Sequence, residues 1–212
     1  MSKKSSNWYK KHINDEFVKQ ANKENWRSRA VFKLKEIDEK YNLIKQNYRI
    51  LDLGSAPGGW SQYASRKYKS TKITAIDVLK MESLTNVNFV QTKIEDFQEN
   101  YLKNENFSKI DLVMSDIAPN ISGIESADIP AMLNLAEEVT IVALAALKQR
   151  GNFLIKLFQG KGTEEYLNDV KNHFEVLKII KPKASRPNSK EIYMLAMNFI
   201  NNESHKERKN YE

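Results

Sequence analysis

The sequence contains no cysteine and only three histidines among its 212 residues. The lack of cysteine excludes disulfides, thiolate zinc sites and cysteine nucleophiles, and three scattered histidines leave little for a metal cluster, so we expect no metal site. The sequence also lacks an apolar run long enough to cross a bilayer, and its first residues, MSKKSSNWYKKH, are too polar for a signal peptide. We therefore expect a soluble, intracellular protein without a membrane partner.

Charge is abundant but unevenly distributed. The net charge is +7, and residues 1–49 hold 13 Lys and Arg against 6 Asp and Glu, whereas residues 50–212 hold 21 of each. Four aromatic residues lie among the charges of this basic front end, namely Trp8, Tyr9, Trp26 and Phe32. Clustered cations with aromatic neighbours are typical of a nucleic-acid contact, although a solvated lysine-rich extension has the same composition.

The composition as a whole, 41% hydrophobic and 29% charged, suits one α/β domain with a full core. We expect residues 1–48 to form a basic helical extension of this domain that contacts RNA, and residues 49–200 to form its core. The polar composition of residues 201–212 predicts a disordered tail.

The stretch Arg49 to Gln62, RILDLGSAPGGWSQ, reads as a strand, a turn of small residues and the start of a helix. Glycines let the backbone approach a ligand, and amides at a helix N-terminus bind anions. The glycines are spaced GxxxGG rather than the GxGxxG of dinucleotide-binding proteins, which suits a carboxylate and an amine better than a pyrophosphate. A tight turn that binds nothing is the alternative.

A second strand, Lys72 to Asp77, ends in an acid at the place where α/β proteins bind a ribose diol, about 20 residues beyond the glycine loop. The loop and Asp77 together predict S-adenosylmethionine as the ligand. Its methionine moiety would lie at the loop and its ribose at Asp77.

The rest of the chain alternates strands with helices, which predicts a parallel, doubly wound sheet. The predicted helices cover residues 15–21, 29–41, 60–67, 94–102, 130–148 and 163–173, and the predicted strands cover residues 50–53, 72–77, 87–91, 112–115, 152–158, 175–180 and 192–198. Ser28 and Thr163 are the expected N-caps. An apolar stripe of Val31, Leu34 and Ile37 should dock one helix on the body, with Lys33 off that stripe.

Four charged residues stand out. Lys156 interrupts a buried strand, which is costly unless the charge is paired, and Asp116 follows the fourth strand at the edge where ligands bind. Glu191 precedes the last strand, and Lys33 comes from the N-terminal helix. These residues predict a mixed-charge network in one cleft, although ordinary ion pairs at the sheet edge would use the same residue types.

The segments SRAVFKL, DLGSAPGGWSQ, SDIAPN, DIP, IKLFQG and SKEIYML resemble the FtsJ/RrmJ family of ribose 2′-O-methyltransferases, in family order from about Ser6 to Ile200. The resemblance implies a Rossmann-like methyltransferase fold with a mostly parallel, seven-stranded sheet, an antiparallel last strand and helices on both faces. It implies a catalytic tetrad at Lys33, Asp116, Lys156 and Glu191. It also implies that S-adenosylmethionine contacts Gly54, Pro57, Gly58, Gly59, Trp60, Asp77 and Asp116.

One departure from the family concerns the adenine of the cofactor. The family has an acid after the third strand, in a QGD pattern, and QTK here places Lys93 at that position. Asp96 lies three residues further on, beyond Ile94. The residue beside the adenine is therefore open between Lys93 and Asp96, with Ile94 as an apolar contact.

The resemblance implies that Lys156 removes the proton of a ribose 2′-hydroxyl as the oxygen attacks the methyl group. The loop form DLGSAPGGW is more similar to the ribosomal-RNA branch of the family than to its transfer-RNA branch. The implied substrate is a uridine in the A-loop of the large ribosomal subunit, acted on by a monomer, and the compartment is open between cytoplasm and organelle, mitochondrion or plastid. A catalytically silent binding module and an unrelated Rossmann oxidoreductase are the alternatives.

Overall fold

The computed structural model describes residues 15–102, 109–186 and 188–200. The strands are β1 (Arg49–Leu53), β2 (Lys72–Asp77), β3 (Val87–Gln91), β4 (Ile110–Ser115), β5 (Leu147–Phe158), β6 (Phe174–Ile180) and β7 (Glu191–Phe199). The helices are α1 (Glu16–Lys23), α2 (Val31–Tyr41), α3 (Gly59–Lys67), α4 (Ile94–Phe97) with a π-helical turn at Gln98–Leu102, α5 (Glu125–Ala146) and α6 (Thr163–Lys171).

The seven strands form one sheet in the order β3-β2-β1-β4-β5-β7-β6. Strand β7 runs antiparallel to both β5 and β6, and the other neighbouring strands pair in parallel. The predicted sheet, mostly parallel with an antiparallel last strand, is confirmed. Strand order reverses between β1 and β4, so the crevice beyond their carboxyl ends is where a ligand is expected.

Two apolar clusters lie on opposite faces of the sheet. Helices α4, α5 and α6 cover one face, and α1, α2 and α3 cover the other. Because side chains alternate along a strand, Phe153 and Ile155 of β5 face α5, whereas Leu154 faces α2. Lys156 is two residues beyond Leu154 and therefore lies on the same face of the sheet, the one covered by α2.

Helix α5 and strand β5 begin earlier than predicted. The prediction placed Pro130 in the first helical turn, a position that proline favours, but the helix begins at Glu125 and contains the proline in its interior. The helix ends at Ala146, and β5 begins at Leu147, before Gly151, because Leu147 pairs with Ile110 ahead of an irregularity in the register. A backbone pairing of this kind leaves little signal in the sequence.

Both predicted N-caps are wrong. Ala30 occupies the N-cap position of α2, after a turn that begins at Ser28, and Gly162, with φ +88°, occupies that of α6. The Thr163 hydroxyl instead donates to the Phe158 carbonyl at 2.8 Å and accepts from the Gly160 amide at 3.1 Å. It therefore stabilises the loop after β5 rather than the helix.

Helix α5 is long and apolar enough, by length and composition alone, to cross a membrane, so the expectation that the chain has no such run is wrong. The helix nevertheless packs on the sheet, where Ala136, Val139 and Ala143 are fully buried in the core. The central helix of an α/β core meets the same criteria of length and composition.

Candidate active site

The loop after β1 passes very close to the loop after β4. Gly54 has φ +73°, and a Cβ atom there would lie 2.5 Å from Cβ of Ile117. Only glycine tolerates both this conformation and this contact. The amides of Gly54 and Ser55 donate to the Ile76 carbonyl at 2.8 and 3.0 Å, which ties the loop to β2.

A cavity of about 630 Å³, here called the Asp77 cavity, opens beyond the carboxyl ends of β1, β2 and β4. Its lining includes Gly54, Asp77, Lys93, Ile94 and Asp116 of the predicted cofactor residues. The Asp77 carboxylate accepts from the Ala56 and Leu79 amides, each at 2.8 Å, and these bonds fix it at the rim. The exposed Asp96 does not line the cavity.

A small pocket of about 50 Å³ continues from the glycine loop toward Asp116, and Pro57, Gly59 and Trp60 line it. The hydroxyl of Ser55 in this pocket is buried and has no hydrogen-bond partner among the described residues. Unpaired buried hydroxyls are rare in folded proteins, so this atom is suited to bind a polar ligand group.

The carboxylate of Asp52 also lines the small pocket and is fully buried. The Ser61 hydroxyl donates to its Oδ2 at 2.6 Å. Burial raises the pKa of Asp52 to about 7, and the nearby Asp116 and Asp77 act in the same direction, whereas the Ser61 bond opposes the shift. Sequence reasoning had assigned no role to Asp52, although an acid inside an apolar strand is a visible signal.

A second large cavity, also of about 630 Å³, lies on the α2 side and is here called the Lys33 cavity. Its charged lining consists of Arg29, Lys33, Lys156, Arg186 and Glu191, so cations outnumber acids. Ala118 lines both large cavities, and they therefore meet beside the loop that carries Asp116. A basic cavity next to a cofactor-sized cavity suits a polyanionic acceptor.

The four predicted catalytic residues come together at this junction as two ion pairs. Nζ of Lys33 lies 2.7 Å from Oε1 and 2.8 Å from Oε2 of Glu191. Nζ of Lys156 lies 3.3 Å from Oδ1 of Asp116 and also donates to the backbone carbonyl of that residue. The Ser185 hydroxyl donates to Oε1 of Glu191 at 2.7 Å. Both lysines are buried.

Tyr193 connects these pairs, and sequence reasoning missed it. It lies opposite Lys156 in the β5–β7 register, and its hydroxyl donates to Oδ1 of Asp116 at 2.6 Å. Nζ of Lys33 lies 5.6 Å from the centre of its ring. Burial, with contributions from Asp116 and Glu191, raises the pKa of Tyr193 well above its ordinary value, so the phenol keeps its proton. The available signal was spacing, because residues 191 and 193 share one face of a strand.

Gly58 lies outside both large cavities and the small pocket. Its φ is +101°, and a Cβ atom there would lie 2.9 Å from Nη1 of Arg27 and 2.7 Å from Sδ of Met81. The positive φ favours glycine at this position whatever space these two flexible side chains leave.

A larger cavity, about 1000 Å³, lies elsewhere, between α5 and α6. It contains none of the predicted site residues, and its acids outnumber its one lysine, Lys161. Size alone does not make this groove the site, because it lacks the buried, convergent polar groups found at the β1–β4 crevice.

Comparisons with known proteins give a family match and similar sequences. The sequence model of a family described as FtsJ-like methyltransferase matches residues 26–199. Ribosomal RNA large subunit methyltransferase E of Pseudomonas fluorescens is 45% identical over 204 residues, 93% of this chain and 96% of that protein. The protein of the same description from Legionella pneumophila (strain Corby) is also 45% identical, over 93% of this chain and 98% of its own.

Solved structures of methyltransferases share the fold of this chain. A protein of Plasmodium falciparum, assigned as a ribosomal RNA methyltransferase, superposes with a TM-score of 0.73 at 30% identity, over 82% of this chain and 98% of that one. Human methyltransferase-like protein 13 in complex with SAH superposes with a TM-score of 0.58 over 78% of this chain and 80% of that one. Its identity of 11% limits the second likeness to the fold.

Proposed function

Since this chain belongs to the FtsJ-like methyltransferase family and is an RNA methyltransferase, we propose that it transfers the methyl group of S-adenosylmethionine to a ribose 2′-hydroxyl of large-subunit ribosomal RNA. The observation that carries this proposal is the meeting of two cavities at one mixed-charge network. The Asp77 cavity has the size of a nucleoside site, the Lys33 cavity is basic, and the Asp116–Lys156 pair lies between them.

Several groups on the chain fit S-adenosylmethionine. The Asp77 carboxylate, already oriented by two amides, would accept from the ribose diol. The unpaired Ser55 hydroxyl and the Asp52 carboxylate would face the amino-acid end from the small pocket. When bound, the cofactor supplies an electrophilic methyl group on a sulfonium. Asp116 lies between the Asp77 cavity, where the cofactor would bind, and the Lys33 cavity, where the acceptor would bind.

In the proposed mechanism, Lys156 removes the proton from the ribose hydroxyl that enters from the Lys33 cavity. Asp116 orients the Lys156 amine, and the Tyr193 phenol holds the Asp116 carboxylate in place. The Lys33–Glu191 pair forms the outer wall and contributes a cation that would stabilise the developing oxyanion. The remaining acceleration would come from alignment of the hydroxyl with the methyl group, which can contribute several kcal/mol.

The relatives support a substrate within the large subunit, because their descriptions name its RNA. Within that RNA we propose a uridine of the A-loop, as the resemblance to the family implies. The two methyltransferase E relatives are bacterial, which favours a soluble, intracellular protein and gives no support to an organellar location. We propose that the chain acts as a monomer.

Family membership removes the oxidoreductase alternative. A silent binding module would not need two partly buried ion pairs at the junction of the cavities, so the geometry favours catalysis over binding alone. The deciding experiment incubates the purified protein with labelled S-adenosylmethionine and large subunits or their RNA, and maps 2′-O-methyl groups by nucleotide. We expect one methylated uridine in the A-loop, whereas transfer only to transfer RNA, capped RNA or DNA would contradict the proposed substrate.

We propose that Lys93, rather than Asp96, borders the adenine, because Lys93 lines the Asp77 cavity and Asp96 does not. An ammonium cannot accept a hydrogen bond from the exocyclic amine of adenine, but a carboxylate can. Lys93→Asp should therefore tighten S-adenosylmethionine binding by roughly 0.5 to 1.5 kcal/mol, the net value of one hydrogen bond. Calorimetric titration measures this, with Asp96→Ala as a control that should bind normally. Weaker binding by Asp96→Ala would show that Asp96, rather than Lys93, contacts the adenine.

The basic front end is proposed to bind the RNA phosphates. Residues 1–14 carry four of its lysines and lie outside the described residues, whereas Lys19 and Lys23 are exposed on α1. Removing residues 1–14, or changing Lys10, Lys11, Lys19 and Lys23 to alanine, should weaken RNA binding and flatten its salt dependence while the affinity for S-adenosylmethionine is kept.

The matched control replaces the exposed lysines Lys171 and Lys178, which lie on α6 and β6. RNA affinity is measured at several salt concentrations for each variant. An equal change of slope in the control and the front-end variants would show that the effect is general charge rather than a localised footprint.

A further inference from the structure

Arg27 lies in the segment between α1 and α2, and its guanidinium binds three backbone carbonyls. Nη1 donates to the Pro57 carbonyl at 3.2 Å and to the Glu82 carbonyl at 2.7 Å. Nη2 donates to the Ser83 carbonyl at 2.9 Å. The planar guanidinium presents five donors in a fixed geometry, so it can bridge carbonyls from separate loops in a way that a single ammonium cannot.

The two loops that Arg27 joins are those that border the Asp77 cavity. Pro57 belongs to the glycine loop after β1, and Glu82 and Ser83 belong to the connection after β2, which begins just beyond Asp77. Arg27 thus adds a link between the glycine loop and the connection after β2, beyond the bond from the Ala56 amide to Asp77 and those from the Gly54 and Ser55 amides to Ile76.

The position of Arg27 is itself determined by the structure around it. Its backbone amide donates to Oε1 of Gln62 at 2.9 Å, and Nε2 of Gln62 donates to the Asn25 carbonyl at 3.0 Å. The guanidinium occupies the space that a Cβ atom at Gly58 would need, since that atom would lie 2.9 Å from Nη1. Arg27 therefore packs against Gly58, whose φ of +101° favours glycine in its own right.

The surroundings of Arg27 argue against a direct RNA contact, which its place in the basic front end would otherwise predict. Its side chain is 16% exposed, and both of its terminal nitrogens already donate to carbonyls. The nearest carboxylate, on Glu82, is 4.0 Å away and 96% exposed, so that ion pair contributes little. The backbone carbonyls are its main partners.

We propose that Arg27 is a positioning residue for the cofactor site, which holds the glycine loop and the connection after β2 at the spacing that S-adenosylmethionine requires. This rests on the proposed function for the identity of the ligand, but not for the RNA substrate. Arg27 would act on cofactor binding alone, without contact to the reacting atoms or to RNA.

The test is calorimetric titration of S-adenosylmethionine into the full chain and into Arg27→Ala and Arg27→Lys. Arg27→Ala should bind roughly 10-fold more weakly or worse, and Arg27→Lys should be intermediate because one ammonium replaces a fork of donors. With saturating cofactor, kcat should stay within about 3-fold of the unmodified protein while KM for the cofactor rises, the pattern for lost binding that does not change the chemical step. Added guanidinium ion should partly restore the affinity of Arg27→Ala but not that of Arg27→Lys.

Arg66→Ala is the matched control. Arg66 also donates to backbone carbonyls of the same segment, those of Glu24 at 3.4 Å and Asn25 at 3.1 Å, and stacks over Trp26 at 4.5 Å, but it makes none of its hydrogen bonds to the glycine loop. Its loss should leave cofactor affinity within about twofold. An equal loss of affinity in Arg66→Ala and Arg27→Ala would overturn the proposal, because the cause would be general loosening of the segment.

Two further results would also overturn it. Cofactor affinity within twofold of normal in both Arg27 variants would show that the loops keep their spacing without the side chain. Weaker RNA binding with a reduced salt slope and normal cofactor affinity would make Arg27 a phosphate contact instead. If the unmodified chain does not bind S-adenosylmethionine, the cofactor assignment is wrong and this proposal is wrong with it. If the unmodified chain and both variants bind it equally well, only the role of Arg27 is wrong.

Discussion

Replacing Lys156 with alanine should reduce methyl transfer by about 10²-fold or more, as expected for the loss of a positioned general base. The affinity for S-adenosylmethionine should remain close to normal, because Lys156 lines the Lys33 cavity and is absent from the lining of the Asp77 cavity. A separation of rate from cofactor affinity is therefore the expected signature.

The contacts explain why Lys156, rather than Lys33, is the expected base. Nζ of Lys33 contacts both carboxylate oxygens of Glu191, at 2.7 and 2.8 Å, so its donors are committed to that pair. Lys156 has a longer contact of 3.3 Å with Asp116 and a bond to a neutral carbonyl. Its amine also projects from β5 to the junction of the two cavities, where the hydroxyl and the methyl group would meet.

Lys156→Met tests the amine while preserving the apolar stem, and it should lose as much activity as the alanine variant. The exposed Lys178 on β6 provides a control whose replacement by alanine should leave the rate unchanged. Single-turnover transfer to large subunits measures the chemical step, and calorimetry measures the cofactor. Activity of either Lys156 variant within a few fold of the unmodified protein would remove Lys156 from the role of base.

The residues alone were sufficient to predict most strands and the meeting of Asp116 with Lys156, whereas the antiparallel last strand and the full tetrad were implied by the resemblance to the family. Strands β2 and β3 were predicted with the observed bounds because each is a short apolar run between turn residues. Asp116 and Lys156 could be placed at one edge because parallel strands bring their carboxyl ends together. These inferences need only periodicity and topology, both of which local sequence carries.

The errors and omissions involve contacts between segments that are distant in sequence. Tyr193 was overlooked because its importance comes from Asp116, 77 residues away, and not from its own strand. Gly58 was expected to line the cofactor site, and the atoms nearest to a Cβ atom there belong to Met81 and Arg27, which are distant in sequence. Local patterns do not record which distant side chain fills the space beside a residue.

Asp52→Asn should remove a pH dependence of stability that the unmodified protein shows between about pH 5 and 7.5. Burial raises the pKa of the folded-state carboxyl to about 7, from the ordinary 3.8 expected in the unfolded chain. Below the lower value, both states are protonated. As the pH rises toward 7, only the unfolded chain ionises, so the unfolded state is favoured and stability falls. Above about pH 7 both states are ionised and the loss is complete.

The size of this effect follows from the separation of the two pKa values. One pKa unit corresponds to about 1.4 kcal/mol, and the part of the titration between pH 5 and 7.5 gives a loss of roughly 2 kcal/mol. Asparagine has no charge to bury and keeps an oxygen that can accept from the Ser61 hydroxyl. The difference between the free energies of unfolding at the two pH values should therefore be smaller in the variant by about that amount.

Urea unfolding of both proteins at pH 5 and 7.5, without cofactor, measures this difference. Asp128→Asn is the control, because the pKa of Asp128 is shifted in the opposite direction to that of Asp52. Hydrogen bonds from the Ser122 backbone and side chain lower the pKa of Asp128, so its contribution to stability is present above the ordinary value and is lost only as the pH falls below it. Asp128→Asn should destabilise the protein equally at both pH values. If Asp52→Asn also changes stability equally at the two values, Asp52 ionises normally in the folded protein, and the small pocket beside the glycine loop is more polar than the burial of its carboxylate implies.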